Sequence, residues 1–455
     1  MTFAFSFYKL FERDLHQWAR GGHVGQHGSG ESLRIEKPLP KSVNVSAVVV
    51  FADHSDRFYF KDRHNRYETG GIGCVRIYGD TSEGAYPIEM SGHLWEENPG
   101  FTLFGGMGFF DETSPPEWDS FGKIRFVLPL LEFRGTKRGR TIVLNVVSSE
   151  YPSRHHAVEK ILRELQSLDT AMPHAPDSVM PSYTETLVPE REKWQVLVNE
   201  ALAWLRENGA RKVVLARKNI LAARTLWDPV SLFHCLERMK ENSFLFFCRQ
   251  KNGDAFLGRS PERLFRLSSG ILASDAIAGT RRRGDNPVQD DRLATELMAS
   301  AKDLLEHRFV VDYIREQMAF FCKNVSVEVS RSPLKLRHLQ HILTRISGSI
   351  KKDLGPVDIL HRLHPTPAVG GMPPGLSRAL IQRLEPFGRG WFGAPVGWMT
   401  KDAAEFAVGI RSALVHGDEL HLFGGAGIVI GSDAGMEWKE TGHKMENFTR
   451  ILRGC

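Results

Sequence analysis

The sequence contains little cysteine, five residues in a chain of 455. They are widely spaced, and no two of them form the C-x-x-C pair that commonly holds zinc or makes a redox disulfide. Neither feature is therefore indicated, and we expect a reducing, cytoplasmic setting. The five residues are Cys74, Cys235, Cys248, Cys322 and Cys455.

The chain also lacks a strong charge of one sign and any long apolar run. Its 59 Lys and Arg residues against 54 Asp and Glu residues leave a formal net charge of +5, which is too mild for a surface that neutralises phosphates. No stretch of 18 or more apolar residues occurs, and Lys9, Glu12 and Arg13 interrupt the N-terminus where a signal peptide needs an apolar core. We expect no nucleic-acid partner, no membrane span and no export.

Several short functional motifs are absent as well. There is no phosphate-binding GK[ST] motif, no G-x-G-x-x-G opening a helix after a strand, no H-E-x-x-H and no G-x-S-x-G. Nucleotide-binding, metalloprotease and serine hydrolase functions are thus not indicated. What remains is a composition of 42% hydrophobic and 25% charged residues, typical of a globular protein with a sizeable core.

The hydrophobic pattern predicts strands first and a mixture of strands and helices later. Apolar runs such as VSAVVVFA, FTLFGGMGFF and RTIVLNVVS predict strands in the first part. From residue 189, PEREKWQVLVNEALAWLREN predicts a helix ending at Gly209, and residues 290–321 predict one long helix. The later strands are separated by hairpin signals rather than by regular βαβ units. This pattern favours antiparallel sheets with helices packed outside them.

Two acidic pairs have the i, i+3 spacing that places both carboxylates on one face of a predicted helix. They are Asp303 with Glu306 and Glu437 with Glu440. Four carboxylates on two helices can build the oxygen-rich site that Mg²⁺ prefers. Each pair by itself is more often a solvated helix face, so the spacing alone does not establish a metal site.

Two further residues are candidates for proton transfer. Lys212 heads the apolar run KVVLAR, and a lysine drawn into apolar surroundings can give up its proton and act as a general base. Glu262, in GRSPERLF, follows a proline that ends a strand, and a partly desolvated glutamate keeps its proton and can act as a general acid. The plainer alternatives are a snorkelling lysine and a solvated loop glutamate.

Arg411 and two Gly-rich segments are candidates for anion binding. Arg411 lies inside a strand pattern, where a guanidinium group needs a carboxylate from a substrate or from an internal Asp or Glu. The segments IAGTRRRG (277–284) and FGGAGIVIGSD (423–433) predict turns whose backbone N–H groups can receive anions. HPTPAVGGMPP (364–374) predicts a rigid loop suited to line a pocket.

Taken together and in order, ten segments over residues 190–453 resemble those of the chorismate-utilising enzymes. This family includes isochorismate, salicylate, anthranilate and aminodeoxychorismate synthases. The resemblance implies a single large α+β domain of two antiparallel β-sheets flanked by helices, the anthranilate synthase component I-like fold, with the site between them. Residues 1–180 would complete the sheets, and residues 181–455 would form the chorismate-binding catalytic region. The segments are KVVLAR, GRSPERLF, IAGTRRRG, SAKDLLEHRFVVDYI, LQHILTRISG, HPTPAVGG, FGAPVGW, FAVGIRSAL, GGAGIVIGSD and EWKETGHKM.

The resemblance also implies roles for individual residues. Glu306 and Glu440 would hold Mg²⁺, with Asp303 and Glu437 as outer-shell or water-mediated ligands. Lys212 would be the general base and Glu262 would be the general acid. The residues expected to contact chorismate are Gly279, Thr280, His341, Thr366, Ala368, Arg411, Gly425 and Lys444.

Two positions distinguish members of the family that use water from those that use ammonia. Lys212 stands where the ammonia-using anthranilate enzymes typically have glutamine, and Ala278 stands where aminodeoxychorismate synthases typically have lysine. The resemblance therefore implies water as the nucleophile and no glutamine amidotransferase subunit. The long N-terminal part and the segment HPTPAVGG resemble isochorismate synthases of the menaquinone type. A salicylate synthase, a siderophore-pathway isochorismate synthase and a catalytically silent chorismate-binding protein remain alternatives.

Overall fold

The computed structural model describes residues 5–21, 32–52, 56–80, 88, 91–110, 115–170, 180–239, 241–351 and 354–454. Over these ranges the chain forms eleven α-helices, α1–α11, and 21 strands, β1–β21. No helix in these ranges combines the length and the apolar character that crossing a membrane requires.

Twelve strands form the first sheet, and all of its pairings are antiparallel. Their order is β1-β8-β7-β3-β2-β11-β12-β20-β21-β10-β17, and β9 also pairs with β10. The strands are β1 (Ser32–Leu39), β2 (Arg57–Lys61), β3 (Tyr67–Ile72), β7 (Leu131–Thr136), β8 (Arg140–Val147), β9 (Tyr183–Val188), β10 (Lys212–Ala223), β11 (Phe244–Arg249), β12 (Ala255–Ser260), β17 (Gly371–Met372), β20 (Ser412–His416) and β21 (Glu419–Ile428).

Nine strands form the second sheet, which is also antiparallel throughout. Their order is β15-β16-β14-β13-β19-β18-β5-β6-β4. The strands are β4 (Arg76–Gly79), β5 (Leu103–Met107), β6 (Ile124–Leu128), β13 (Arg263–Ser268), β14 (Ile271–Arg282), β15 (Cys322–Lys335), β16 (Leu339–Ile350), β18 (Pro395–Met399) and β19 (Ala404–Val408).

The helices bury their apolar stripes against the sheets and carry recognisable ends. α5 ends at Gly209, whose left-handed φ of 62° suits glycine. α11 begins after Asp433, whose carboxylate accepts a hydrogen bond from the backbone N–H of Met436 at 2.8 Å. The helices are α1 (Phe7–Ala19), α2 (Val45–Phe51), α3 (Ser91–Glu97), α4 (Arg154–Thr170), α5 (Arg191–Asn208), α6 (Pro229–Arg238), α7 (Pro287–Ala299), α8 (Ala301–Phe321), α9 (Pro356–Leu363), α10 (Pro374–Leu384) and α11 (Ala434–Ile451).

Strands from the first 180 residues enter both sheets and pair directly with later strands. β2 pairs with β11 in the first sheet, and β5 pairs with β18 in the second. Aromatic residues from both sheets meet in one buried cluster, which includes Phe104 of β5 and Phe256 of β12. The predicted α+β fold of two antiparallel sheets with flanking helices is confirmed.

Three local predictions were wrong. The segment VSAVVVFA forms α2 rather than a strand, because Asn44 caps it by accepting a hydrogen bond from Ala47 N–H at 3.3 Å. The predicted long helix is divided into α7 and α8 at Ser300, whose hydroxyl accepts from Asp303 N–H at 3.3 Å. The two Gly-rich segments run largely within β14 and β21, where glycine leaves room for side chains packed against the strand.

Candidate active site

Two adjacent places at which the chain crosses from one sheet to the other form the base of a cleft. Residues 261–262 lead from β12 to β13, and residues 409–411 lead from β19 back to β20. The backbone N–H of Val408 donates to the carbonyl of Glu262 at 3.1 Å, and that of Arg259 donates to the carbonyl of Arg411 at 3.1 Å. These bonds fix Glu262 and Arg411 side by side between the sheets.

A cavity opens above the crossovers. Its wall combines charged side chains with apolar groups from both sheets. Ten of the residues predicted from the sequence line it: Glu262, Gly279, Thr280, Glu306, His341, Ala368, Arg411, Gly425, Glu440 and Lys444. The structure therefore brings together residues that lie more than 180 positions apart in the chain.

Glu262 is the most perturbed acid in the cavity. Its side chain is buried, and burial raises its pKa to about 8, with a further increase from Asp275 that Lys212 and Lys444 oppose. A carboxyl with this pKa carries its proton at neutral pH. Glu262 is thus suited to donate a proton to a leaving group in the cavity.

Lys212, the first residue of β10, lies behind the cavity wall rather than in it. Its side chain is 1% exposed, and its Nζ lies 2.9 Å from Oε1 of Glu306 on α8. Gly427 on β21 makes this contact possible, because a Cβ there would lie 2.6 Å from Glu306 Oε1 and 3.0 Å from Lys212 Cε. Sequence reasoning missed this role, since it treated the segment around Gly427 as an anion-binding turn.

Arg411 is a buried cation held by a neutral histidine. Burial lowers the pKa of His341 to about 3, so its Nδ1–H donates to the carbonyl of Gly279 at 3.1 Å, and Nε2 faces the Arg411 guanidinium at 3.4 Å. Gly279 has a φ of +73° at a bulge in β14, a conformation that favours glycine. Burial also lowers the pKa of Arg411 to about 10.

The Arg411 guanidinium faces the cavity rather than a carboxylate within the described part of the chain. Among the ion pairs of the described residues, none joins Arg411 to an internal carboxylate. Its guanidinium instead lines the cavity. Since a buried guanidinium group needs an anionic partner, this position favours a ligand carboxylate.

The four predicted metal-binding carboxylates line one opening beside the cavity. Asp303 and Glu306 reach it from α8, and Glu437 and Glu440 reach it from α11. Each carboxylate is bound by a cation. In the described part of the chain, no three Asp, Glu, His or Cys residues lie close enough together to hold a metal ion as the side chains stand. The four pairs are Asp303–Arg281 (2.7 Å), Glu306–Lys212 (2.9 Å), Glu437–Lys302 (3.2 Å) and Glu440–Lys444 (2.7 Å).

Comparison with known proteins decides the family. A family model described as chorismate binding enzyme matches residues 24–453, which is most of the chain. The chain belongs to the chorismate-binding enzyme family.

Similar proteins include several isochorismate synthases. Isochorismate synthase MenF of Bacillus subtilis is 32% identical over 88% of this chain and 88% of its own length, and that of Escherichia coli is 32% identical over 92% and 93%. A solved structure of MenF, the menaquinone-specific isochorismate synthase from Escherichia coli, covers 97% of this chain and 99% of its own. It is 26% identical with a TM-score of 0.84.

In this chorismate-binding enzyme, Thr366 is placed differently from the other predicted contacts. It is buried and does not line the cavity. Its hydroxyl accepts a hydrogen bond at 3.3 Å from the backbone N–H of Ala368, which does line it. Thr366 therefore shapes the turn that presents Ala368.

Arg389 and Glu385 support the cavity wall and were missed in the sequence. Arg389 lines the cavity and donates to the carbonyls of Val214 and Val369, each at 2.8 Å. Glu385 pairs with Arg389 and accepts from the backbone N–H of Ala216 at 2.7 Å. The pair thus ties β10, which begins with the candidate base, to the loop before β17. The i, i+4 spacing of Glu385 and Arg389 in the sequence was the available signal.

Proposed function

We propose that this chain is an isochorismate synthase, which adds water at C2 of chorismate and removes the C4 hydroxyl, with menaquinone biosynthesis as its pathway. The observation that carries the proposal is the buried Glu262, whose pKa burial raises to about 8, in a cavity that also contains a buried Arg411. An acid and a carboxylate-binding cation are what a reaction on a hydroxylated carboxylic acid requires. The similarity to isochorismate synthases supports the choice of substrate.

Substrate binding rests on charge complementarity. Chorismate carries two carboxylates, and Arg411 and Lys444 are cations in the cavity wall. Lys444 also donates to the carbonyl of Gly425 at 2.9 Å, which fixes it against β21. Ion pairs between the two cations and the two carboxylates orient the ring, and Ala368 and Thr280 complete the pocket around it.

Proton transfer is assigned to two residues. Lys212 removes a proton from water as the oxygen bonds to C2, the two ring double bonds shift, and the C4–O bond breaks. Glu262 donates its proton to the departing hydroxyl, which leaves as water. One water enters and one leaves, so substrate and product are isomers, and a proton then returns from Lys212 to Glu262 through solvent.

Glu306 and Glu440 would hold Mg²⁺, with Asp303 and Glu437 acting through water. The carboxylates offer the hard oxygen donors that the ion prefers, and all four line one opening. When bound, Mg²⁺ supplies positive charge that orients the ring carboxylate and draws electron density toward it. Glu306 and Glu440 would exchange their lysine partners for the ion, which leaves Lys212 without its carboxylate neighbour.

Two further proposals concern the cellular context. We infer that the enzyme acts without a glutamine amidotransferase subunit, because water rather than ammonia is the nucleophile. We also propose a cytoplasmic location, because the sequence contains few cysteines and no C-x-x-C pair.

The test is to incubate the purified protein with chorismate and Mg²⁺, with and without an ammonium salt, and to identify the products by chromatography. Isochorismate under both conditions is the expected result. Salicylate with pyruvate would make the protein a lyase, anthranilate would overturn the choice of nucleophile, and no product would favour a silent binding protein.

A further inference from the structure

We propose that Arg63, in the turn between β2 and β3, is a positioning residue that holds the crossover bearing Glu262 in its reactive place. The proposal rests on the function proposed above for Glu262. It assigns a part in the reaction to the N-terminal region, whose sequence offers no catalytic candidate.

Arg63 contacts the crossover directly. Its guanidinium Nη1 donates to the carbonyl of Pro261 at 3.1 Å, across 198 positions of sequence, and Pro261 is the residue immediately before Glu262. The Arg63 side chain is 1% exposed. A charge-assisted hydrogen bond in such a buried place constrains the peptide strongly, because no water can take over the role of the donor.

The rest of the crossover is held by hydrogen bonds between uncharged groups, which are weaker than a charge-assisted bond. The hydroxyl of Ser260 accepts from the N–H of Glu262 at 3.2 Å, and the N–H of Val408 donates to the carbonyl of Glu262 at 3.1 Å. Proline has no N–H, so the carbonyl is the one backbone hydrogen-bonding group that Pro261 can offer. Arg63 binds this group, and the peptide between Pro261 and Glu262 is thereby fixed on both sides.

A buried ion pair fixes Arg63 itself. Its Nη2 lies 2.7 Å from Oδ2 of Asp275 on β14, and its guanidinium lies 5.7 Å from the centre of the Phe244 ring. Asp275 is also close to Arg345 at 3.2 Å and to Arg263 at 3.6 Å. Two other arginines therefore neutralise Asp275, so what Arg63 alone contributes is the bond to the Pro261 carbonyl.

The charged groups that act on Glu262 come from other elements. Lys212 reaches it from β10, Lys444 from α11 and Asp275 from β14. Arg63 is not among these groups and binds the backbone of the crossover, so its effect on the reaction is through position. A displacement of about 1 Å in a catalytic group can cost on the order of 100-fold in rate, which sets the scale expected here.

The test uses a double-mutant cycle in the full-length protein. Arg63→Gln should lower kcat about 10- to 100-fold and change KM less than about threefold, because substrate binding is left in place. Arg63→Lys, which keeps one donor, should recover part of the loss. In the Glu262→Gln background, adding Arg63→Gln should lower kcat by less than about threefold, because the group that Arg63 positions is already gone.

Two matched controls separate position from general damage. Arg66 lies in the same turn and binds Asp62 at 2.9 and 3.0 Å, and Arg345 binds Asp275 at 3.2 Å. Arg66→Gln and Arg345→Gln should keep kcat within about threefold of the wild-type value. Thermal melting of each variant shows whether it is folded. If Arg63→Gln does not fold, Arg63→Lys is used for the test instead.

Wild-type kcat in Arg63→Gln, or an equal loss in Arg66→Gln, would overturn the proposal. So would a full additional loss in the double variant, which indicates a structural role independent of Glu262. These outcomes differ from a failure of the proposed function, in which the wild-type protein makes no isochorismate.

Discussion

The cavity at the sheet crossovers and the acidic opening between α8 and α11 differ in how their charged groups are neutralised. In the cavity, Glu262 is kept neutral by burial, and no ion pair within the described residues joins Arg411 to a carboxylate. In the opening, each of the four carboxylates predicted to bind metal has a cation within 3.2 Å. Burial opposes ionisation of Glu440, yet Lys444 beside it lowers its pKa. Glu262 and Arg411 are thus placed to bind one ligand, whereas the four carboxylates of the opening have cation partners that a metal ion can replace.

The largest expected effects are those of the two proton-transfer residues. Lys212→Ala and Glu262→Gln should each lower kcat by about 10²- to 10⁴-fold, because each removes one proton transfer. Chorismate binding, measured by calorimetry, should persist in both. Product formation at the wild-type rate in either variant would show that another residue serves as base or acid.

Substitutions in the opening should come next. Glu306→Gln and Glu440→Gln should lower activity about 100-fold or more at low Mg²⁺, because an amide is a poorer ligand for a hard cation. A chelator should abolish wild-type activity, and added Mg²⁺ should restore it. If activity is indifferent to chelator, the metal role of the opening is wrong.

Adding a methyl group at Gly427 should disturb the contact between Lys212 and Glu306. Gly427→Ala places Cβ 2.6 Å from Glu306 Oε1 and 3.0 Å from Lys212 Cε, so the pair must separate. We expect kcat to fall about tenfold or more. Gly375→Ala is the matched control, because a Cβ at Gly375 meets no atom within 4 Å and should leave kcat unchanged.

The pH dependence of the rate should reflect the titration of Glu262 in the cavity rather than that of the carboxylates in the opening. Glu262 must be protonated to donate, and its pKa is about 8, so the acid is present below pH 8 and is lost as the pH rises through 8. The forward rate should therefore fall up to about tenfold per pH unit above that point. Glu262→Gln should lack this decline, and a decline unchanged in that variant would assign it to another group.

The smallest effects are expected at the two outer carboxylates. Asp303→Asn and Glu437→Gln should weaken Mg²⁺ binding by about 10-fold, as is typical of groups that act through water or through a first ligand. The measurement is the Mg²⁺ concentration that gives half-maximal activity. A loss as large as that of Glu306→Gln would place these carboxylates directly on the ion.

Sequence reasoning succeeded where a local pattern encodes the position of a side chain. The i, i+3 spacing of Glu437 and Glu440 predicted a shared helix face, and both side chains line one opening. It failed for VSAVVVFA, because a run of β-branched residues does not reveal whether the cap at Asn44 or a strand partner will prevail.

Long-range contacts were beyond such patterns. No periodicity relates Arg63 to Pro261, because their contact depends on which strands of the two sheets become neighbours. The same holds for the space at Gly427, which is defined by Lys212 and Glu306 from two other elements. The family resemblance supplied the roles of residues that composition and spacing left open.

The most direct test of the central claim is to follow oxygen from water. Wild-type protein is incubated with unlabelled chorismate and Mg²⁺ in H₂¹⁸O, and the isochorismate formed at the earliest times is analysed by mass spectrometry, before the reverse reaction can exchange the label. If water adds at C2 as the C4 hydroxyl leaves, each isochorismate molecule carries one ¹⁸O atom at C2. Unlabelled isochorismate would mean that the substrate's own hydroxyl migrates, and it would contradict the roles given to Lys212 and Glu262.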